Sequence, residues 1–274
     1  MDILREIEGI KNYNFHSHTQ FCDGKASMEE MIRAAVDRGI SVYGFSPHSP
    51  IPIHSPCNMS FEKVDEYLSE AQRLKNEFEG RCRIFTGMEI DFLGTDWGPS
   101  HPYFINLPLD FRIGSVHFIP SQEGIPTDID GSYLSFEKKM EDYFHADIRY
   151  VVDTFFSQSL KMLELGGFDI LGHLDKIAMN ASLYSPGIED EPFYKRHIYD
   201  MIDAVRDSGI IVELNTKHFT RFGRFYPRRD IVRELMKLGV KIIVNSDAHT
   251  PDGICRSRNE GFEIIETLKK ELHG

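Results

Sequence analysis

Apolar positions along this chain alternate between short unbroken runs and stretches spaced at three and four, and glycines mark most of the changes. The first run, Asn12 to Phe15, predicts a strand. From Ser27 onward, Met28, Met31, Ile32, Ala35 and Val36 form a helical stripe, Glu30 stands where it closes a capping box, and Gly39 ends the segment. Ile40 to Phe45 predicts a second strand, and the proline-rich Ser49 to Asn58 predicts a loop. Ser60 opens another stripe, Val64, Leu68, Ala71, Leu74 and Phe78, which Gly80 closes. Strands three and four are expected at Arg83 to Ile90 and Phe111 to Val116. Between them lies a long aperiodic loop, Asp91 to Asp110, of the kind more often functional than idle.

Beyond an acidic loop, Gln122 to Gly131, one helical region is expected from about Ser135 to Gly166, with Ile148, Val152, Phe155, Phe156 and Leu163 on its buried face. Strand five follows at Phe168 to Leu171, and Ile198, Met201, Ile202 and Val205 mark a helix that stops at Gly209. Strand six is Ile210 to Leu214 and strand seven is Val240 to Asn245. Helices from about Arg229 to Leu238 and about Arg258 to Leu272 follow them.

Strands alternating with helices predict parallel pairing through right-handed crossovers, which an open doubly wound sheet and a barrel both satisfy. The polar residues separate the two. His16 with His18, His48, Glu89, His117, His173, and Asp247 with His249 stand at the carboxyl ends of strands one to five and seven. An open sheet gathers such residues at one or two switch points, whereas a closed or nearly closed barrel brings six strand ends around one cavity. An α/β, TIM-like barrel is therefore expected. Seven strands are legible, which leaves a true seven-stranded barrel and a missed eighth strand both open. The chain shows no internal repeat or low-complexity segment, so one barrel domain over residues 1–274 is expected. Strand alternation adds a check: Glu213 and Asn215, Asn245 and Asp247, and Asn14 and His16 share the side that carries the histidines.

Two imidazoles one residue apart, His16 and His18, leave a strand end on the same side, and Asp23 can return to the same cavity. That donor mix suits zinc, iron or manganese. The whole set, six histidines and the carboxylates Asp23, Glu89 and Asp247, exceeds the needs of one ion and suits two or three.

A formal charge of −12 argues against a general nucleic-acid binder. Cys22, Cys57, Cys82 and Cys255 form no CxxC pair, and Cys22 is either a buried thiol or a neighbour of the site. The opening Met1 to Glu6 is no signal peptide, and no apolar run reaches the roughly 18 residues of a membrane helix. A reduced cytoplasmic setting is expected, with neither membrane nor nucleic acid as partner.

Against this acidic background, Lys217, Arg221, Arg224, Arg228 and Arg229 follow strand six with no acidic residue among them. Strand six lacks an assigned ligand, so its loop should overhang the same mouth, where guanidinium forks suit phosphate oxygens. A solvated basic loop or a contact with an acidic partner is the alternative. Lys176, just after His173, is another phosphate candidate. His218 is a candidate to protonate a leaving alkoxide or to touch substrate. Asp91, Asp175, Glu213 and Asn215 are candidates for reading a substrate's polar groups, and Trp97 for stacking on a ring.

Seven segments carry a resemblance: Phe15-His16-Ser-His18-Thr, Pro47-His48, Gly87-Met-Glu89, Gly114-Ser-Val-His117, Gly172-His173, Glu213-Leu-Asn-Thr216 and Asn245-Ser-Asp247-Ala-His249. In this order they resemble the motifs of the polymerase-and-histidinol-phosphatase (PHP) family, and within it the histidinol-phosphate phosphatases. The resemblance implies a distorted (β/α)7 TIM-like barrel with a centre of three divalent or transition metal ions. It further implies hydrolysis of L-histidinol phosphate to L-histidinol and inorganic phosphate in histidine biosynthesis, by attack of a metal-bridging hydroxide. Carried over residue by residue, one ion would take His16, His18, Glu89 and Asp247, a second Glu89, His117 and His173, and a third Asp23, His48 and His249. Some relatives carry histidine where this chain has Asp23. Arginine often follows the Glu-Leu-Asn-Thr segment in the family, which adds weight to Arg221. The alternatives are a phosphoesterase acting on another small phosphate, nucleotide or nucleic-acid end, and a noncatalytic metal-stabilised binding protein.

Overall fold

The structure is a computed structural model that describes residues 2–273. Its strands, in chain order, are β1 (Tyr13–Asn14), β2 (Val42–Phe45), β3 (Arg83–Asp91), β4 (Phe111–Ser115), β5 (Phe118–Pro120), β6 (Pro126–Asp128), β7 (Ile170–Leu171), β8 (Ile211–Asn215) and β9 (Ile242–Asn245). Seven of them form one parallel sheet in the order β1-β2-β3-β4-β7-β8-β9, and β5 and β6 make a separate antiparallel hairpin. Along β2 every residue is buried, as in a strand covered on both faces.

The two ends of the sheet, β1 and β9, meet largely through side chains. Asn14 Oδ1 accepts the Ser246 N–H at 2.9 Å, and Asn245 Oδ1 accepts the Phe15 N–H at 2.9 Å. Just beyond, Ser17 and Ala248 make a single parallel bridge, and the His18 N–H donates to the Ala248 carbonyl at 2.8 Å. Asparagine amides thus stand in for a ladder the backbone does not complete, and the sheet curls into a nearly closed, distorted TIM-like barrel. Among the described residues no eighth strand intervenes.

Phe15, Phe111, Ile113, Ile170 and Ile243 pack as one buried cluster drawn from around the barrel. A Cβ at Gly44 would lie 2.7 Å from the Phe111 ring and one at Gly87 2.4 Å from it, so two glycines hollow out the space this ring fills. Outside, the helix Met28–Asp37 buries Met28, Met31, Ile32 and Ala35 and opens with the expected capping box: Ser27 Oγ accepts from the Glu30 N–H, and the Glu30 carboxylate accepts from the Ser27 N–H.

Several features depart from the sequence reading, among them short helices, Pro102–Ile105 and Phe219–Phe222, inside two expected loops. The helical region expected as one piece is two helices, Tyr133–Phe144 and Ile148–Leu165, because His145 and Ala146 take left-handed backbone at φ 47° and 58°. The hairpin β5–β6 replaces much of the expected acidic loop, with Ser121 Oγ accepting the Glu123 and Ile125 N–H groups inside its turn. An additional helix, Ala178–Tyr184, follows β7. Among the described residues no helix is long and apolar enough to cross a membrane.

Candidate metal centre

Local backbone devices aim each donor into the barrel mouth. After His18 the chain folds back tightly: a Cβ at Gly24 would lie 2.3 Å from the Thr19 nitrogen, so only glycine fits there. The turn returns Asp23 to within 3.8 Å of His18 Nδ1 and 3.3 Å of His249 Nε2. Past β2, the Ser49 N–H donates to the Glu89 carbonyl and the Glu89 N–H to the Pro47 carbonyl, setting His48 beside Glu89. Asp247 holds a left-handed backbone at φ 49° without being glycine, and strain of that kind gathers at functional sites.

Glu89 is the meeting point. Its Oε2 lies 3.1 Å from His16 Nε2, 3.4 Å from His18 Nε2 and 3.2 Å from His48 Nδ1. Its Oε1 lies 2.9 Å from His173 Nε2 and 3.5 Å from His117 Nε2, and accepts from Ser115 Oγ at 2.7 Å. Asp247 Oδ1 lies 3.2 Å from His18 Nε2, 3.8 Å from His16 Nε2 and 3.4 Å from His249 Nδ1. All nine residues expected from sequence therefore gather in one place. Three groups have donor atoms within 4.8 Å of one another: His18, Asp23, His48 and His249; His16, His18 and Asp247; and His48, Glu89 and His117. His18 and His48 each belong to two groups, so the partition is less clean than the three sets implied by the resemblance.

Two of the histidines are locked by carboxylates behind them. His16 Nδ1 lies 2.7 Å from Glu213 Oε2, and His117 Nδ1 lies 2.6 Å from Asp91 Oδ1, while Asn58 Nδ2 holds the other Asp91 oxygen at 2.7 Å. A proton on Nδ1 donated to these carboxylates leaves the Nε2 lone pair facing inward. Glu213 and Asp91, which the sequence offered as substrate readers, thus hold histidines. Asn215, offered likewise, donates to Asp247 Oδ2 at 3.1 Å.

With those tautomers, acceptor faces acceptor. His16 Nε2, His18 Nε2, His48 Nδ1 and Asp23 Oδ1 are buried without a hydrogen-bond partner among the described residues, a condition that costs free energy unless something else answers them. Charging the imidazoles resolves it only in part: against the cost of burial, the facing carboxylates raise His16 and take His117 up to about 9, but others do not follow. Burial first, then the His249 and His48 rings, hold His18 well below the usual histidine range, and burial lowers His173 as well. Metal cations answer both the orphaned lone pairs and the buried carboxylates, and mixed imidazole and carboxylate donors in this number fit a multi-metal site.

Above the donors opens a cavity of about 730 Å³, walled by His54 to Asn58, the β5–β6 hairpin and the loop after β8. Lys176, Lys217, His218 and Arg221 line it, and Lys176 Nζ lies 3.2 Å from Asp130. Arg224 and Arg228 do not line it, which corrects the expectation for both. Arg224 grips the Glu189 carboxylate with two nitrogens at 2.7 and 2.8 Å and reaches Asp175 at 3.2 Å. Arg228 pairs with Asp230 and with Glu189. Asp175 is thereby spent on the loop rather than on substrate, and its Oδ2 also accepts the Arg228 N–H.

His218, the candidate for protonating a leaving alkoxide or touching substrate, lines the cavity. Burial, then Lys176 and Lys217, push its pKa down to about 3, so the ring is neutral near pH 7, with Nδ1 3.1 Å from the Tyr226 hydroxyl. Trp97 lies outside the cavity, packed on Tyr103 and Phe104 with its Nε1 donating to the Pro50 carbonyl. The Cys22 thiol lies 3.5 Å from His18 Nδ1, beside the site.

The family model for the PHP domain matches residues 14–217. Among curated proteins, the chain is similar to a "Probable histidinol-phosphatase" of Deinococcus radiodurans, with 27% identity over 265 residues that cover 93% of this chain and 90% of the relative. Among solved structures, it is similar to a candidate histidinol phosphatase from Listeria monocytogenes, with a TM-score of 0.78 at 18% identity, covering 90% of this chain and 99% of that one. It is also similar to the histidinol phosphate phosphatase of Lactococcus lactis complexed with zinc, L-histidinol and phosphate, with a TM-score of 0.69 at 18% identity and 94% of each chain covered. The two structures share the barrel seen here. With the family match running from β1 to the loop after β8, this chain belongs to the PHP domain family.

Proposed function

We propose that this protein is a metal-dependent histidinol-phosphate phosphatase that hydrolyses L-histidinol phosphate to L-histidinol and inorganic phosphate in histidine biosynthesis. The observation that carries the reading is the convergence of nine donor residues, several with orphaned buried atoms, beneath a cavity with a cationic rim. The likeness to the Lactococcus enzyme, whose structure holds zinc, L-histidinol and phosphate, supports the choice of substrate. The proposal takes residues 1–274 as one barrel domain and places it in the cytoplasm, a setting that suits the unbridged Cys22, Cys57, Cys82 and Cys255.

In this reading His16, His18, Glu89 and Asp247 hold one ion, Glu89, His117 and His173 a second, and Asp23, His48 and His249 a third. Such ions, zinc, iron or manganese, polarise phosphoryl oxygens and make water acidic enough to yield hydroxide near neutral pH. Glu213 and Asp91 keep His16 and His117 in the tautomer that turns Nε2 inward. Lys176, Lys217 and Arg221 take phosphate oxygens. Arg221, exposed at the mouth and without an ion pair among the described residues, is free to turn toward the ligand. Neutral His218 accepts from Tyr226 at Nδ1 and presents Nε2–H to the ester oxygen. Ile125, Leu183 and Phe222, apolar residues of the outer wall, suit the faces of the substrate's ring.

The test is phosphate release from L-histidinol phosphate beside a nucleoside monophosphate, a cyclic phosphate and an aryl phosphate, with metal-replete and chelated protein. The expected result is metal-dependent turnover with a kcat/KM preference of at least about 100-fold for L-histidinol phosphate. Metal-dependent turnover without that preference contradicts the substrate assignment.

A further inference from the structure

Lys217 stands at the junction of two donor groups. Its Nζ lies 3.1 Å from Asp247 Oδ1 and 3.4 Å from His249 Nε2. Asp247 gathers with His16 and His18, whereas His249 gathers with His18, Asp23 and His48. One ammonium therefore touches a donor of each group, on atoms the ions would use.

The root of this side chain is fixed. The Lys217 N–H donates to Asn215 Oδ1 at 3.0 Å, and the same Asn215 holds Asp247 through its Nδ2 at 3.1 Å. Its head is less confined: the side chain is 27% exposed and borders the cavity. An ammonium and a divalent ion on the same carboxylate oxygen repel one another strongly in so buried a place. A flexible four-carbon stem lets the ammonium yield into the cavity it borders, where Asp130 is already engaged by Lys176 and an entering anion can take it.

We propose that Lys217 is a tethered cation that competes with metal for Asp247 and His249 and, once displaced, swings into the cavity to bind phosphate oxygens. The proposal rests on the metal reading given above and is independent of which phosphate ester is the substrate. Because an ion and a phosphate act on one side chain, filling one favours the other by linkage.

The experiment compares wild type, Lys217→Met and Lys217→Arg in two titrations: zinc against a chromogenic chelator, and inorganic phosphate into the zinc-loaded protein by calorimetry. Lys217→Met is expected to bind the weakest-held zinc about 10-fold more tightly and, once loaded, to bind phosphate about 10-fold more weakly. Lys217→Arg, which keeps the charge, is expected to stay closer to wild type in both. A merely structural lysine would weaken zinc binding when removed, and that result, like unchanged zinc affinity, overturns the proposal. Wild-type protein that takes up no zinc overturns the metal reading along with it. Failure to hydrolyse L-histidinol phosphate leaves both titrations readable and counts against the substrate alone.

Discussion

The floor and the rim of the cavity hold their charges in opposite ways. On the floor, Glu89 and Asp247 are buried, each facing several imidazoles, and strand ends and the turns just beyond them set the direction of every donor. On the rim, the loop after β8 carries its charges on segments without a strand's periodicity. There the arginines are directed by whichever carboxylate is nearest: Arg224 and Arg228 settle on Glu189, Asp175 and Asp230, while Arg221 alone of the three borders the cavity. Backbone register aims the floor, and partner chemistry aims the rim.

The largest effect is expected where the floor is most shared. Glu89→Gln removes a charge that five histidines face, and phosphate release is expected to fall at least about 10³-fold, the scale of several kcal/mol of lost charge stabilisation. Zinc content of the purified variant, measured alongside, should drop as well. A Glu89→Gln protein with near wild-type turnover would mean that the floor is not where the chemistry happens.

The next effect belongs to the rim and falls on stability. Arg224→Met leaves the buried Asp175 carboxylate without a side-chain cation and Glu189 with Arg228 alone, which is expected to cost about 3 kcal/mol in urea unfolding. A loss below about 0.5 kcal/mol, with phosphate binding weakened instead, would return Arg224 to the cavity.

Particular residues show how much of this was legible from sequence. His16, His48, Glu89, His117, His173 and Asp247 could be placed because short apolar runs mark strand ends, and strand ends in a parallel barrel share one face. The closing seam was half visible: Asn14 and Asn245 appeared on the right side of their strands, but their bonds to Ser246 and Phe15 depend on the curl of the whole sheet. The helix Ala178–Tyr184 spans seven residues, too few for a periodic signal, and the break at His145–Ala146 rests on backbone angles that neither residue type advertises. Glu213 and Asp91 stand near the mouth by their place in the sequence, but that place does not say that they hold His16 and His117. Which nitrogen of which histidine faces them is a distance across strands, not a spacing along the chain. The partners of Arg224 stayed hidden for the same reason, since Asp175 and Glu189 lie 49 and 35 residues before it.

The effect smallest at neutral pH, where it vanishes, concerns a rim residue placed in a floor-like environment. Burial and then Lys176 and Lys217 set the folded His218 pKa at about 3, below the ordinary 6.5. As pH falls through that window, the unfolded chain takes up a proton that the folded ring refuses, so His218 contributes a loss of stability that is absent above about 6.5. His218→Gln should unfold with a shallower pH dependence between about 6.5 and 3 and the same dependence above it. An unchanged slope would mean that the ring is as solvated as the rest of the rim.

The most direct test of the floor as a multi-metal centre is elemental analysis of wild-type protein titrated with zinc and dialysed, with circular dichroism recorded before and after chelation. Three bound ions per chain, removed by chelator with the helical signal retained, is the result this account predicts. One ion or none per chain, or collapse of the signal on chelation, would contradict it.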